Sequence, residues 1–199
     1  MNFSIVIMLY GLVLAGGKSK RMGRDKGALT YHGVSQRVFA ARLLSEFCQE
    51  VFVSCRAEQV QTLEPELQPL VDAFHDLGPT GGILTALHFK PDCAWLVVAC
   101  DLPFLSSDAL QALIAARDPS KMATAYQNPD NHLPEPLIAI YEPKSREGLL
   151  AAVRQGKNCP RKFLLSTDCK LLMPQKRETV ANINTPQEYE QALAALANR

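Results

Sequence analysis

Glycines and basic residues are concentrated in one short stretch that follows an apolar run. Residues 14–26 read LAGGKSKRMGRDK and contain three glycines and five basic side chains. Gly16 and Gly17 allow backbone N–H groups to approach a phosphate, because no Cβ intervenes. Arg21 and Lys26 can then neutralise phosphate oxygens. The pattern predicts a polyphosphate-binding loop, with a solvated basic turn as the alternative. Its spacing fits neither a Walker A loop nor a dinucleotide-binding turn.

An aspartate follows a second apolar run. The sequence WLVVAC, residues 95–100, ends directly at Asp101. A carboxylate at the end of a buried strand is unfavourable without a partner. Mg²⁺ is commonly bound by one or two carboxylates together with substrate phosphates and water. We therefore expect Asp101 to be a Mg²⁺ ligand. The alternative is an aspartate that bonds its own turn or caps the helix predicted to start at Ser106.

Two further segments place polar groups beside predicted helix starts. Asp72 follows the apolar pair Leu70-Val71 and precedes GPTGG, residues 78–82. GPTGG is predicted to begin a helix, and the free N–H groups and positive dipole at a helix start favour binding of a nucleotide. The alternative is a plain turn. Asn182 and Asn184 precede the last predicted helix. Asparagines at such positions commonly cap helices or stabilise turns.

Apolar β-branched runs alternate with helical patterns along the chain. Strands are predicted at 10–15, 50–55, 68–71, 94–99, 122–126 and 137–141, and helices at 35–47, 79–89, 106–117, 144–154 and 186–197. Ser106 is a predicted N-cap, and Thr185 is a predicted N-cap followed by Pro186 at the first helical position. This alternation predicts an α/β fold, a Rossmann-like three-layer α/β/α sandwich with a mostly parallel central sheet. We expect a single domain over 1–199, with ligands bound beyond the carboxyl ends of the strands.

Composition narrows the function classes. The 199 residues are 47% hydrophobic and 21% charged with a net charge of +1, so no basic field points to nucleic acid. Six cysteines without a C-x-x-C pair argue against zinc and a disulfide framework, and predict reduced thiols in a cytoplasmic protein. The apolar run at 3–15 is too short to span a bilayer and predicts a buried strand, with Met8 as an alternative start. We expect no membrane partner.

The glycine loop and three later segments carry a resemblance to a known family. LAGGKSKRMGRDK resembles the signature L-A-G-G-x-S-x-R-M-G-x-D-K of the MobA-like nucleotidyltransferases. LVD before GPTGG, then VACDLPFL, then NINTPQEY follow in the family's order over nearly the whole chain. The resemblance implies a fold of the nucleotide-diphospho-sugar transferase type. It also implies transfer of GMP from GTP to the phosphate of molybdenum-bound molybdopterin, with release of pyrophosphate.

Roles for individual residues follow from the same resemblance. Catalytic roles are implied for Arg21, Lys26 and Asp101, with Asp101 also the Mg²⁺ ligand. The nucleotide would contact Leu14, Ala15, Gly16, Gly17, Lys26, Asp72 and Asp101. The resemblance places Asn182 and Asn184 near the pterin substrate. Other proteins of molybdenum cofactor synthesis, or molybdoenzymes, are the implied partners.

Two departures from the family's pattern leave parts of this assignment open. The family often has an asparagine just after the strand that ends here as Val53-Ser54-Cys55, and its frequent His-Pro appears here as His132-Leu133-Pro134. Alternatives are CMP transfer to molybdopterin, sugar-1-phosphate nucleotidyl transfer, and a non-catalytic nucleotide-binding regulatory module. The presence of both Lys26, the implied phosphate ligand, and Asp101, the implied metal ligand, favours a catalytic protein over a regulatory module.

Overall fold

The computed structural model describes residues 8–16 and 26–197. Seven strands form one sheet: β1 (Leu9–Leu14), β2 (Val51–Cys55), β3 (Pro69–Val71), β4 (Ala94–Ala99), β5 (Ala123–Gln127), β6 (Pro134–Tyr141) and β7 (Cys169–Leu172). Their order across the sheet is β3-β2-β1-β4-β6-β5-β7. Only β6 runs antiparallel to its neighbours β4 and β5, and the other pairs are parallel. The predicted mostly parallel sheet is confirmed.

Helices cover both faces of this sheet. They are α1 (Gln36–Ser45), α2 (Pro79–Phe89), α3 (Ser107–Ala115), α4 (Ser145–Arg154), α5 (Pro160–Leu165) and α6 (Pro186–Ala197). Leu44 of α1 and Leu110 of α3 belong to the core on one face, whereas Ile83 of α2, Leu149 of α4 and Phe163 of α5 belong to the core on the other. This arrangement confirms the three-layer prediction. Short 3₁₀ helices occur at Lys26–Ala28, Ala57–Thr62 and Arg177–Val180.

Local sequence explains most of these elements. Every residue of β4 is buried, as expected of a central strand covered on both faces. Ser35 and Ser106 cap α1 and α3, and their hydroxyl oxygens accept from the N–H groups of Val38 and Ala109, each at 3.3 Å. The predicted cap at Ser106 is confirmed.

The sequence prediction missed two elements and shortened a third. The edge strand β7 reads CKLL and is only partly buried, so it lacks the apolar run of a central strand. The helix α5 has six residues, too few for a helical period to stand out. The strand β6 begins at Pro134 rather than at 137. Prolines are unusual inside a sheet, so the sequence PEP did not read as strand. The pairing of this segment with β5 includes a register shift between Ala125 and Tyr126.

The topology brings the ends of six strands to one edge of the sheet. We call this the carboxyl edge: β1, β2, β3, β4, β5 and β7 end there, and β6 begins there. The six cysteines carry free thiols. None of the helices in the described part of the chain has the length and hydrophobicity that a bilayer-spanning helix needs.

Candidate functional site

Lys26 and Asp101 meet at the middle of the carboxyl edge, together with a side chain from the end of the chain. The ammonium Nζ of Lys26 donates to Asp101 Oδ2 at 3.1 Å and to Asn184 Oδ1 at 2.7 Å. The Lys26 and Asp101 side chains are 16% and 20% exposed, so their ion pair is partly shielded from water. Residues from three distant parts of the sequence therefore surround one positive charge.

The second carboxylate oxygen of Asp101 is oriented differently. Asp101 Oδ1 is buried, and no hydrogen-bond donor reaches it from residues 8–16 or 26–197. A buried carboxylate oxygen without a donor is unfavourable, which indicates a place for a ligand. The backbone oxygen of Asp101 accepts from the N–H of Ile183 at 2.9 Å. This bond fixes the segment before α6 against the end of β4.

The start of α6 anchors Asn184. The Glu188 carboxylate accepts from the backbone N–H groups of Asn184 at 2.6 Å and Thr185 at 3.0 Å, and the Glu188 N–H donates back to Thr185 Oγ1 at 3.3 Å. This reciprocal pattern is a capping box, so the predicted cap at Thr185 followed by Pro186 is confirmed. Asn182 is exposed, and its backbone oxygen accepts from Asn184 Nδ2 at 3.4 Å.

Tyr31 is a neighbour of this cluster that the sequence did not suggest. Its ring packs edge-on against Tyr189, with 5.0 Å between the ring centroids. Burial raises the pKa of the Tyr31 phenol well above its usual value, and the charges of Tyr189 and Asp101 raise it further. Tyr31 therefore stays neutral beside the Asp101 carboxylate.

A second cluster lies where β1, β2 and β3 end. The Ser54 hydroxyl donates to Asp72 Oδ1 at 2.6 Å, and a Cβ placed on Gly16 would lie 3.3 Å from Asp72 Oδ2. Arg56 Nη1 donates to the Gly16 carbonyl oxygen at 2.5 Å. Burial raises the pKa of Asp72, while the bond from Ser54 and the charges of His75 and Arg56 oppose that rise. The glycine segment thus lies directly against the predicted nucleotide carboxylate.

The start of α2 closes over the same cluster. A Cβ on Gly82 would lie 2.4 Å from Ser54 Oγ and 2.7 Å from Leu14 Cδ2, so only glycine fits there. Gly78 adopts a positive φ of 57° and lets Pro79 begin the helix. The predicted helix opening at GPTGG is confirmed, and it lies next to β1 and β2.

The other predicted site residues have these positions. Leu14 O accepts from Cys100 N at 3.3 Å, and Ala15 N donates to Ser54 O at 3.2 Å, so these backbone groups bind the protein itself. Gly17 and Arg21 lie outside the described residues. Ser54 and Arg56 were missed as site residues. The sequence offered one signal for Ser54, a polar residue within the apolar strand VFVSC, and none for Arg56.

A cavity of about 310 Å³ lies on the other side of Asp101. It is lined by Asn128, Asp130, Arg177, Glu178, Val180 and Ala181. Arg177 forms an ion pair with Asp130 across it. Asn128 Nδ2 donates to the buried Glu135 carboxylate at 2.7 Å, which also pairs with Arg161 at 3.0 Å. The β5–β6 turn and the segment after β7 therefore frame this cavity at the carboxyl edge.

The chain matches one family profile and is similar to curated proteins over most of its length. The profile of the family described as MobA-like NTP transferase domain matches residues 11–182. A molybdenum cofactor biosynthesis bifunctional protein of Synechocystis sp. is 42% identical over 92% of this chain, which spans about half (53%) of that relative's length. A "Probable molybdenum cofactor guanylyltransferase" of Synechococcus elongatus is 31% identical over 96% of this chain and 97% of its own length.

A solved structure shares the fold. The crystal structure of molybdopterin-guanine dinucleotide biosynthesis protein A from Archaeoglobus fulgidus superposes with a TM-score of 0.79 at 24% identity. The alignment covers 96% of this chain and 100% of that chain. The predicted sandwich is thus confirmed by similarity to a solved structure as well as by the sheet topology.

Proposed function

Since this chain belongs to the MobA-like NTP transferase domain family, we propose that it transfers GMP from GTP to the phosphate of molybdenum-bound molybdopterin and releases pyrophosphate. The observation that carries this proposal is the pair formed by Lys26 and Asp101 at the carboxyl edge. It provides a cation for phosphate oxygens next to a buried carboxylate oxygen without a donor from the described residues. The guanylyltransferase and the bifunctional protein among the relatives support the choice of substrates.

We place the nucleotide on the side of the edge formed by β1, β2 and β3. Asp72 Oδ2 faces Gly16, and the α2 N-terminus opens beside Ser54. A guanine base offers two kinds of N–H donor and one oxygen acceptor, which a carboxylate and backbone N–H groups can pair. Asp72 can accept from the base or from a ribose hydroxyl at this position. Leu14, Ala15, Gly16 and Gly17 would line the same side.

We place the acceptor on the other side of Asp101, toward β6, β5 and β7. The cavity lined by Asp130, Arg177 and Ala181 lies there, and the segment that contains Asn182 links it to the end of β4. A pterin ring carries both N–H donors and an oxygen acceptor; the Asp130 carboxylate can accept from the former and the Arg177 guanidinium can donate to the latter if the two exchange their mutual ion pair for contacts to the ring. The two phosphates would then meet at Lys26.

The reaction is an in-line substitution at the α-phosphorus of GTP. An oxygen of the acceptor phosphate forms the new bond to this phosphorus while the bond to the β-phosphate oxygen breaks, and pyrophosphate leaves with the electron pair. The attacking phosphate is already an anion near neutral pH, so no general base is needed. Catalysis then depends on positioning and on charge neutralisation by Lys26 and, in our proposal, by Arg21.

The residues fit a magnesium ion bound through one carboxylate. Asp101 Oδ1 is the candidate ligand, since it is buried and lacks a donor from the described residues. No group of three or more His, Cys, Asp or Glu in that part of the chain is arranged to hold a metal. Substrate phosphates and water would complete the coordination. When bound, Mg²⁺ supplies positive charge that brings the two anionic substrates together.

Three expectations about the protein as a whole stay proposals. We propose a single catalytic domain over 1–199, and a cytoplasmic location supported by six free thiols. The bifunctional relative supports partners within molybdenum cofactor synthesis.

The decisive experiment supplies Mg²⁺, molybdenum-loaded molybdopterin and one of GTP, CTP, UTP or ATP. Pyrophosphate release and formation of the guanine dinucleotide with GTP alone are expected. A site with paired polar groups can discriminate bases by about ten thousandfold. Equal use of CTP would refute guanylyl specificity, and no pyrophosphate with any nucleotide would refute catalysis.

A further inference from the structure

We propose that Asn184 is a positioning residue for Lys26, and that it acts on the nucleotide phosphates rather than as a contact to the pterin. The amide oxygen of Asn184 accepts from Lys26 Nζ at 2.7 Å, a shorter contact than the 3.1 Å from the same nitrogen to Asp101 Oδ2. This contact joins residues 158 positions apart in the sequence. It gives Asn184 a direct route to the phosphate-binding charge.

The chemistry of the two groups fixes the orientation of the Asn184 amide. An ammonium group has only donors, so the oxygen of the amide must face Lys26. The amide nitrogen then points away and donates to Asn182 O at 3.4 Å. The backbone of Asn184 is held separately, because its N–H donates to Glu188 at the start of α6. A change to the side chain alone therefore leaves the capping box in place.

A neutral acceptor suits this position better than a charged one. Lysine is a point charge on a flexible four-carbon stem, and it needs partners to hold it toward a ligand. Asp101 supplies one partner with a negative charge. An amide as the next partner fixes the direction of the ammonium without cancelling more of its charge. A carboxylate in place of the amide would repel a polyphosphate and retain the lysine.

This inference rests on the proposed function, because it takes the phosphates to be those of a nucleoside triphosphate. The experiment measures GTP binding to the full chain by calorimetry with Mg²⁺ and without acceptor, so that no pterin contact can contribute. The variants are Asn184→Ala, Asn184→Asp, Lys26→Met and the double variant of Asn184→Ala with Lys26→Met. Gln49→Glu is the matched control, since it also converts an amide to a carboxylate but lies beside Leu9 at the opposite edge of the sheet.

Asn184→Ala should weaken GTP binding by about five- to tenfold, as expected for a lost positioning hydrogen bond. Asn184→Asp should weaken it more, and Gln49→Glu should leave it unchanged. The double variant should bind GTP no more weakly than Lys26→Met alone, because Asn184 acts through the lysine. A purely structural role for Asn184 would not produce this non-additivity.

Other outcomes overturn the inference. Additive losses in the double variant would show that Asn184 acts independently of Lys26. Unchanged GTP binding in Asn184→Ala with a raised KM for molybdopterin would make the residue an acceptor contact. In both cases the proposed function survives. If the wild-type chain binds none of the four nucleoside triphosphates, both the inference and the proposed function are overturned.

Discussion

Removal of the Ser54 hydroxyl tests whether the cluster at the ends of β2 and β3 is tuned for an ionised carboxylate. In Ser54→Ala, Asp72 loses a bond that the serine donates to its Oδ1 at 2.6 Å. Ser54 is 2% exposed, and alanine keeps the Cβ that also lies near Gly82, so the substitution removes only the hydroxyl oxygen. The substitution therefore isolates one hydrogen bond to one carboxylate.

A hydrogen bond to a charged group contributes about 1.5–3 kcal/mol, and the lower end applies because Asp72 is only partly buried. For a protein of this size, a loss of about 1.5 kcal/mol lowers the Tm by roughly 3–6 °C. Burial raises the pKa of Asp72 in the folded state above its unfolded value. The folded protein therefore loses stability as the pH rises through that raised pKa, because the partly buried carboxyl group must ionise there. The missing bond increases this penalty at neutral pH. Below the unfolded pKa of about 3.9, the carboxyl is protonated in both states and the difference shrinks.

The assay is thermal unfolding of wild type and variant from neutral pH into the acidic range in which Asp72 protonates, combined with GTP titrations over the same range. The Tm difference should be largest at neutral pH, and the acidic loss of GTP binding should move to higher pH in the variant. Ser107→Ala is the control, because Ser107 donates to the Glu46 carboxylate at the same 2.6 Å on the exposed start of α3. A Tm difference that does not vary with pH, or an unmoved GTP profile, would refute the reasoning.

The remaining predictions concern the reacting groups and the cavity. Lys26→Ala should lower GTP affinity and turnover by about 1.5–3 kcal/mol, measured by calorimetry and pyrophosphate release, and near-normal kinetics would contradict a phosphate role. Asp101→Asn should abolish most activity and weaken Mg²⁺ titration with an unchanged circular dichroism spectrum, because an amide is a poorer Mg²⁺ ligand. Ala181→Phe should fill part of the cavity and raise the KM for molybdopterin while the Kd for GTP stays constant. A parallel loss of both would place the nucleotide there.

The sequence predicted well those features that depend on local patterns. The apolar run before Asp101 identified β4 and its end, because a buried parallel strand reads as continuous hydrophobic sequence. The proline and capping residues at α2 and α6 marked both helix starts. Once the strands were known, the rule for open α/β sheets brought Asp72 and Asp101 to one edge.

Long-range partners were beyond a local pattern. Nothing near Ser54 in the sequence indicates that its hydroxyl bonds Asp72, since the pairing depends on the parallel register of β2 and β3. Arg56 looked like an ordinary residue after a strand, yet it holds the Gly16 carbonyl oxygen. The edge strand β7 was missed because its exposed polar and apolar residues lack the signature of a buried strand.

The path of the chain after β7 connects the proposed acceptor side of the carboxyl edge with the proposed phosphate-binding residues. The chain leaves the far edge of the sheet, borders the cavity through Arg177–Val180, and returns to β4, where Ile183 bonds Asp101. The next residue, Asn184, accepts a hydrogen bond from Lys26. One segment therefore borders the proposed acceptor cavity and holds the proposed phosphate lysine.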